Sequence, residues 1–256
     1  MDDSTFFAQI EHTPVPWQGL TLHVPVFYPD FSYIAGSWLA PVERVRAILP
    51  STRLHPYRVL PGRCLVSIAA YRYRQSDIGP YNEVSIGVPV TLDKSTPRFT
   101  GILRKPPRVL VSYSHHLPVS TEIARKVGAE FAGYPKFVAD IDFTETEESL
   151  VCRLAVDGTD ILTLRGRKIP VSLRSRAHVE PITTRNDYLL RSEFIISGSE
   201  VGVSKDAADI QLDLGDHAIA DELRTLGLGR LAQYLYCPQT RGILTPVIES
   251  YSTARG

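Results

Sequence analysis

The segment around Lys136 combines a reactive amine with apolar neighbours. It reads Gly-Tyr-Pro-Lys-Phe-Val-Ala over residues 133–139, so aromatic and aliphatic side chains flank the lysine. Burial destabilises the charged form of a lysine, which lowers its pKa and provides free amine near neutral pH. Such an amine can attack a carbonyl carbon. The alternative is a lysine whose methylene stem covers an apolar surface while its ammonium group stays in water.

A carboxylate, Glu83, is the second candidate for chemistry. It lies between the turn residues Gly79-Pro80 and the apolar run 84–90. A glutamate that faces a cavity can transfer protons or pair with a nearby cation. The alternative is an exposed loop carboxylate, which is the commoner situation for this residue type.

The neighbouring histidines His115 and His116 follow a predicted strand. Adjacent residues of an extended chain point to opposite faces of a sheet, so we expect that the two cannot chelate one metal ion together. The other five histidines show none of the spacings typical of metal ligands. The sequence therefore predicts no metal site.

The elements that must position these side chains are mostly short strands. Residues 65–71 and 109–113 are rich in β-branched or aromatic residues and bounded by turn residues. Residues 149–156 and 160–165 flank Asp157-Gly158, the pattern of an antiparallel hairpin. Apolar spacing predicts helices over 41–49, 121–131 with Ser120 as N-cap, and about 216–226. We therefore expect one α+β domain over residues 1–256, dominated by antiparallel sheet.

Composition excludes several classes of function. Lys and Arg total 28 and so do Asp and Glu, so the chain lacks the basic surface of a nucleic-acid binder. No apolar run approaches the ~20 residues of a membrane span. Three widely spaced cysteines and an acidic N-terminus predict reduced thiols and a cytoplasmic protein. P-loop, G-x-G-x-x-G and G-x-S-x-G motifs are absent, which weakens nucleotide hydrolase, Rossmann and serine hydrolase interpretations.

Taken together, these segments resemble the acetoacetate decarboxylase family. The hallmark of that family is a Tyr-Pro-Lys segment with an imine-forming lysine, here Tyr134-Pro135-Lys136. The family's Gly-x-Tyr-x-Glu stretch has its counterpart in residues 79–83, so Glu83 matches the active-site glutamate. Further similar positions are Tyr113, His115, Glu122, Val127, Gly128, Glu130, Pro89-Val90 and the segments 210–212 and 216–218.

The resemblance implies a mostly antiparallel, acetoacetate decarboxylase-like β-barrel core with flanking helices, in a protein that forms homo-oligomers. It implies Lys136 and Glu83 as catalytic residues and no cofactor. The substrate-binding residues that it implies are Tyr134, Tyr81, His115 and Phe137.

Two departures from the family pattern bear on the substrate. Members that decarboxylate acetoacetate carry a second lysine directly after the imine-forming one, where this chain has Phe137. Desolvation alone must then lower the lysine pKa. The family's arginine and second glutamate, which serve the substrate carboxylate, find no counterpart around residues 30–31 and 69–70. Arg72, Arg74 and Arg104 flank the relevant strands, and the sequence does not choose among them.

Three functions stay open. The first is a Schiff-base lyase that decarboxylates a β-keto acid resembling acetoacetate through an imine on Lys136. The second is a lysine-dependent aldolase-dehydratase or hydratase acting on pyruvate or another 2-oxo acid, which the Phe137 replacement favours. The third is a non-catalytic member that binds a small molecule, against which the retention of both Lys136 and Glu83 argues.

Overall fold

A computed structural model of the chain describes residues 6–8, 10–94 and 109–254. The helices are α1 (Val42–Arg46), α2 (Glu122–Ala132) and α3 (Ala218–Leu226). The strands are β1 (Thr13–Trp17), β2 (Leu20–Val24), β3 (Val26–Pro41), β4 (Leu54–Pro56), β5 (Arg58–Leu60), β6 (Arg63–Gln75), β7 (Tyr81–Leu92), β8 (Leu110–His116), β9 (Asp140–Glu145), β10 (Ser149–Val156), β11 (Thr159–Arg167), β12 (Leu173–Arg185), β13 (Tyr188–Arg191), β14 (Phe194–Ser204), β15 (Ile210–Leu214), β16 (Leu231–Leu244) and β17 (Glu249–Ser252). None of the helices in these ranges is long and apolar enough to cross a membrane.

The largest sheet closes on itself as a barrel does. Its strands follow the order β14, β16, β3, β6, β7, β8 and β12, and β12 pairs back to β14. The ladders in this ring are antiparallel except that between β8 and β12. A closed ring leaves no unpaired edge in the body of the sheet. The observed fold confirms the predicted mostly antiparallel class with few helices.

Two smaller sheets accompany the ring. Strands β15, β11, β10 and β9 form one of them, and its apolar face shares a buried core with β3, β6 and β7. Ile34, Ile68 and Leu162 are among the fully buried members of that core. Strands β1 and β2 form a separate two-stranded hairpin. Because an isolated hairpin is only marginally stable, this one depends on its contacts with the rest of the chain.

The predicted helices are confirmed, with shifted ends. The first is one turn of regular helix after Pro41, shorter than the apolar spacing predicts. The second begins after Thr121, whose hydroxyl accepts a hydrogen bond from the amide of Ala124. The prediction of Ser120 as the cap is therefore wrong, since the Ser120 hydroxyl instead accepts from the amide of Asn82. The third helix ends at Gly227, which has φ +65°.

The predicted hairpin at Asp157-Gly158 is also confirmed. Strands β10 and β11 pair antiparallel from Ser149–Arg167 to Val156–Thr159. Both turn residues have positive φ, +49° at Asp157 and +78° at Gly158. This is the backbone geometry of the two-residue hairpin turn that matches the twist of the flanking strands.

We predict that Gly158→Ala destabilises the protein by about 1 kcal/mol, because a Cβ at positive φ is strained even with open space around it. No neighbouring atom lies within 4 Å of the added Cβ, so the change tests the backbone alone. Denaturant unfolding measures the loss. Asp157→Asn is the control and should change stability by less than about 0.5 kcal/mol, since asparagine tolerates this conformation. Equal stability of Gly158→Ala and wild type would contradict the turn assignment.

Candidate active site

The amine of Lys136 and the carboxylate of Glu83 form a buried ion pair. Lys136 Nζ donates a hydrogen bond to Glu83 Oε2 at 2.8 Å. The lysine side chain is 4% exposed and the glutamate side chain 9%. Water therefore competes little for either group, and each is the principal partner of the other's charge. Lys136 and Glu83 are therefore both buried, and neither is the solvated side chain that is common for its residue type.

Backbone pairing through Val119 brings these two distant residues together. Val119 forms an antiparallel bridge with Glu83 on β7 and a parallel bridge with Val138. Its amide donates to the carbonyl of Phe137 at 2.9 Å, and its carbonyl accepts from the amide of Ala139 at 3.0 Å. The lysine-bearing segment is thus attached to the edge of β7 next to Glu83. The proline that follows Tyr134 favours extended backbone at that residue.

Tyrosines surround the ion pair. The Nζ atom of Lys136 lies 5.5 Å from the ring centre of Tyr81 and 5.6 Å from that of Tyr134. The Tyr73 hydroxyl donates to Glu83 Oε1 at 3.4 Å. The Tyr28 and Tyr81 hydroxyls lie 3.2 Å apart, and the Tyr134 hydroxyl lies 2.9 Å from Ser192 Oγ. Aromatic faces attract a cation at these distances, so the rings favour the position of the amine.

Burial keeps these tyrosines protonated. Desolvation is the main cause that raises the pKa values of Tyr28, Tyr73, Tyr81 and Tyr134 above the ordinary value, and the negative charge of Glu83 adds to it. Each phenol therefore keeps its O–H donor over the physiological pH range. The site therefore contains phenol O–H donors beside the Glu83 carboxylate and the Lys136 amine.

Gly128 leaves the space that the lysine side chain occupies. A Cβ at this position of α2 would lie 2.6 Å from both Cδ and Cε of Lys136 and 3.1 Å from Nζ. These contacts are closer than carbon atoms tolerate. Glycine is therefore needed at this position so that Lys136 can pack against the helix, and not because the backbone has an unusual angle.

Two cavities meet at Lys136. The first, which we call the apolar chamber, lies between α2 and the β1–β2 hairpin and has a cavity volume of about 40 Å³. The second, which we call the serine chamber, has a cavity volume of about 90 Å³ and is lined by Glu83, Ser85, Ser112 and Ser114 among others. Both chambers share the side chains of Tyr28, Tyr134, Lys136 and Leu244. The amine is therefore accessible from two differently shaped and differently polar spaces.

The structure places the predicted substrate-binding residues at different distances from this site. Tyr134 lines both chambers, and Tyr81 contacts the amine through its ring face. Phe137 packs against the main apolar core instead. His115 is turned away from the chambers and contacts α3. In the described part of the chain, neither Phe137 nor His115 lines either chamber.

Sequence reasoning did not single out Tyr28, Tyr73 or the chamber serines. A signal for Tyr73 exists: Tyr71 and Tyr73 alternate on β6, which puts them on one face opposite Glu83 and Tyr81. Ser85 follows Glu83 at the same two-residue period. For Tyr28 no local signal exists, because it reaches the site through the pairing of β3 with β16 and β6.

The expectation that His115 and His116 point to opposite faces is wrong. Ser114 pairs with Gly87 and His116 with Ile86, which leaves His115 as an extra residue in a bulge of β8. A bulge turns successive side chains to the same side. His115 Nε2 lies 2.6 Å from Glu222 Oε1 and His116 Nε2 lies 2.7 Å from Glu222 Oε2. Their ligand atoms lie within 4.8 Å of one another.

The candidate arginines belong to ion pairs outside the chambers. Arg72 donates to Glu145 at 2.7 Å, and Arg74 forms a two-pronged pair with Asp30 at 2.6 and 2.7 Å. Arg104 lies outside the described residues. Lys136 is the one Lys or Arg side chain among the described residues that line the chambers.

Comparison with known proteins identifies the class to which this site belongs. Residues 11–193, which include both Glu83 and Lys136, match the family model of acetoacetate decarboxylase. The match spans more than half of the chain, so the protein belongs to the acetoacetate decarboxylase family. A search of curated proteins found no match.

Solved structures share the fold at low sequence identity. An acetoacetate decarboxylase from Legionella pneumophila is 15% identical with a TM-score of 0.66, over 93% of each chain. The enduracididine biosynthesis enzyme MppR, in complex with the condensation product of pyruvate and imidazole 4-carboxaldehyde, is 12% identical with a TM-score of 0.63, over 95% of this chain and 98% of that one. An acetoacetate decarboxylase-like enzyme from Sphingomonas wittichii RW1 is 14% identical with a TM-score of 0.51, over 87% and 92%.

The histidine cluster makes stability depend on pH. Burial, and the neighbouring His116, hold the pKa of His115 below its ordinary value, while Glu222 opposes the shift. Below the ordinary histidine pKa the unfolded chain binds a proton that the folded protein resists, so stability falls as the pH falls. We predict that His115→Gln loses less unfolding free energy than wild type between pH 7.5 and 5.5. The difference is at most about 1.4 kcal/mol per pH unit for one group. Urea unfolding at both pH values measures it, and equal losses would contradict the assignment.

Proposed function

We propose that this protein is a Schiff-base lyase that decarboxylates a β-keto acid through an imine on Lys136. The observation that carries the proposal is the buried Lys136–Glu83 pair at the junction of two chambers. A buried ion pair costs desolvation free energy, and replacement by apolar residues is often neutral or stabilising. A binding module has no evident need for such a pair, whereas imine chemistry needs both an amine and a group that transfers its protons.

In the first step the amine of Lys136 loses a proton and then reacts with the substrate. Glu83 accepts a proton from the Lys136 ammonium group, and the neutral Nζ attacks the substrate ketone carbon. The carbinolamine formed loses its hydroxyl group as water, with a proton supplied by Glu83, while a tyrosine hydroxyl donates a hydrogen bond to the departing oxygen. The product is a protonated imine between Lys136 and the substrate.

The imine then serves as the electron sink. The bond between the α-carbon and the carboxylate breaks, carbon dioxide leaves, and the electron pair passes through the carbon to the imine nitrogen to give an enamine. Glu83 takes up from solvent the one proton that the reaction consumes and transfers it to the enamine carbon, which returns an imine, and water hydrolyses this imine to a ketone and free Lys136. Apolar walls around the amine favour the loss of charge from the carboxylate.

A condensation activity is the second candidate, and the serine chamber favours it. The hydroxyls of Ser85, Ser112 and Ser114 offer hydrogen bonds to a carboxylate in a cavity without a described arginine. The MppR structures contain pyruvate and a pyruvate-derived condensation product. In this alternative a pyruvate enamine on Lys136 adds to an aldehyde, and loss of water gives an unsaturated 2-oxo acid.

Borohydride trapping tests the imine that both candidates need. We predict that wild type incubated with acetoacetate, or separately with pyruvate, and then reduced acquires one adduct on Lys136. Lys136→Arg should lose the adduct and more than about 10³-fold of any turnover, because an arginine cannot form the imine. Intact mass and peptide mapping locate the adduct, and carbon dioxide release distinguishes decarboxylation from condensation.

Lys126→Arg is the matched control for this experiment. Lys126 lies ten residues before Lys136 and pairs with Glu122 on the exposed face of α2, at 3.9 Å. This variant should trap as wild type does. A Lys136→Arg protein that folds and keeps full turnover would overturn the proposed function.

Gly128→Ala tests whether the space at this glycine positions the amine of Lys136. The added methyl group must displace the far end of the Lys136 side chain, which is flexible, so the fold accommodates it. Alanine also raises helix propensity, by about 0.5–1 kcal/mol. We predict trapping and turnover reduced at least tenfold, and an unfolding free energy below that of wild type because the displaced amine leaves its buried pair with Glu83. Full trapping in a variant of unchanged stability would contradict the role of Gly128.

A further inference from the structure

The apolar chamber is lined almost entirely by hydrocarbon. Its walls include Leu22 and Val24 from β2, Ile78 from the turn before β7, and Ala124 and Val127 from α2. Leu22, Ala124 and Val127 are buried although they face this space. The exceptions among the described lining side chains are His23, Thr245, and the Lys136 amine and Tyr28 and Tyr134 hydroxyls at the shared end. The cavity volume is about 40 Å³, about three times the ~10–15 Å³ that one water molecule needs.

The β1–β2 hairpin that covers the chamber is tied to α2. Trp17 Nε1 donates to Glu130 Oε2 at 2.9 Å, and Gln18 Nε2 donates to both oxygens of Glu130 at 3.1 and 3.2 Å. The rings of Trp17 and Phe131 meet edge to face at 6.0 Å. These contacts hold the hairpin against α2 and so close this side of the chamber.

The methyl group of acetoacetate would fill only part of this chamber. With only a methyl group bound, most of the apolar wall would face water or empty space, which is unfavourable. A longer hydrocarbon group removes that wall from water, and each buried methylene improves binding by about fourfold. The serine chamber on the other side of Lys136 keeps room for the polar end of the same molecule.

We propose that the substrate of this protein is a carbonyl compound with a medium-length alkyl or aryl group on its carbonyl carbon, and that this group occupies the apolar chamber. The inference rests on the proposed imine at Lys136 and names the substrate class for that site. The carbonyl carbon lies at the amine, the apolar group lies between α2 and the β1–β2 hairpin, and the polar end lies among the serines.

A series of methyl ketones tests the inference without turnover. Acetone, 2-pentanone and 2-heptanone are each incubated with wild type and reduced with borohydride, and the half-saturating concentration for the Lys136 adduct is measured. We expect this concentration to fall about 16-fold from acetone to 2-pentanone and further for 2-heptanone. Equal or rising values along the series, with acetone trapped, would overturn the inference and leave the proposed imine standing.

Ala124→Phe locates the effect in the chamber. The phenyl ring fills space beside Lys136, so the advantage of 2-heptanone over acetone should shrink at least tenfold. Ala129→Phe makes the same change on the same helix at a position outside the described lining, and it should keep the wild-type ratio. Thermal unfolding checks that both variants fold. An unchanged ratio in folded Ala124→Phe would overturn the placement.

Absence of any trapped ketone would instead refute the proposed imine. In that case calorimetry with the Lys136→Arg protein still decides whether the chamber binds hydrocarbon, because binding needs no covalent bond. Tighter binding of 2-heptanone than of acetone supports the chamber assignment, and equally weak binding overturns it.

Discussion

The hydrogen-bonded ion pair between Lys136 and Glu83 is the interaction on which the rest of the site depends. Both side chains are almost fully buried, so each charge is compensated mainly by the other. Loss of one partner would leave an unpaired buried charge, which costs about 3–5 kcal/mol in proteins. This costly pair lies where the two chambers meet. That combination distinguishes Lys136 from a solvated lysine.

Three kinds of support hold the pair in position. Backbone pairing through Val119 joins the lysine segment to β7, and the absence of a side chain at Gly128 lets Lys136 lie against α2. Tyrosine rings and hydroxyls complete the surroundings, with phenols that burial keeps protonated. These supports come from strands and a helix that are far apart in sequence. A small shift in any of them changes the environment of the same amine.

The two chambers give this member of the acetoacetate decarboxylase family a polarity gradient across its amine. On one side serine hydroxyls and Glu83 offer hydrogen bonds, and on the other α2 and the β1–β2 hairpin offer hydrocarbon. Glu130 connects the hairpin to the helix by bonds to Trp17 and Gln18. The same helix therefore carries Gly128 beside the amine, the wall of the apolar chamber and the anchor of its cover.

The sequence by itself predicted the three helices, the Asp157-Gly158 hairpin and the two residues of the buried ion pair, Lys136 and Glu83. Local periodicity and turn chemistry predicted the three helices and the Asp157-Gly158 hairpin, because these depend on neighbours within a few residues. The family resemblance of residues 79–83 and 134–136 predicted Glu83 and Lys136. Only the tertiary structure decided that they meet, 53 residues apart. It also decided which tyrosines join them and that a bulge turns His115 and His116 to one side. Strand register and bulges arise from pairing between distant segments, and local pattern carries no information on which faces come together.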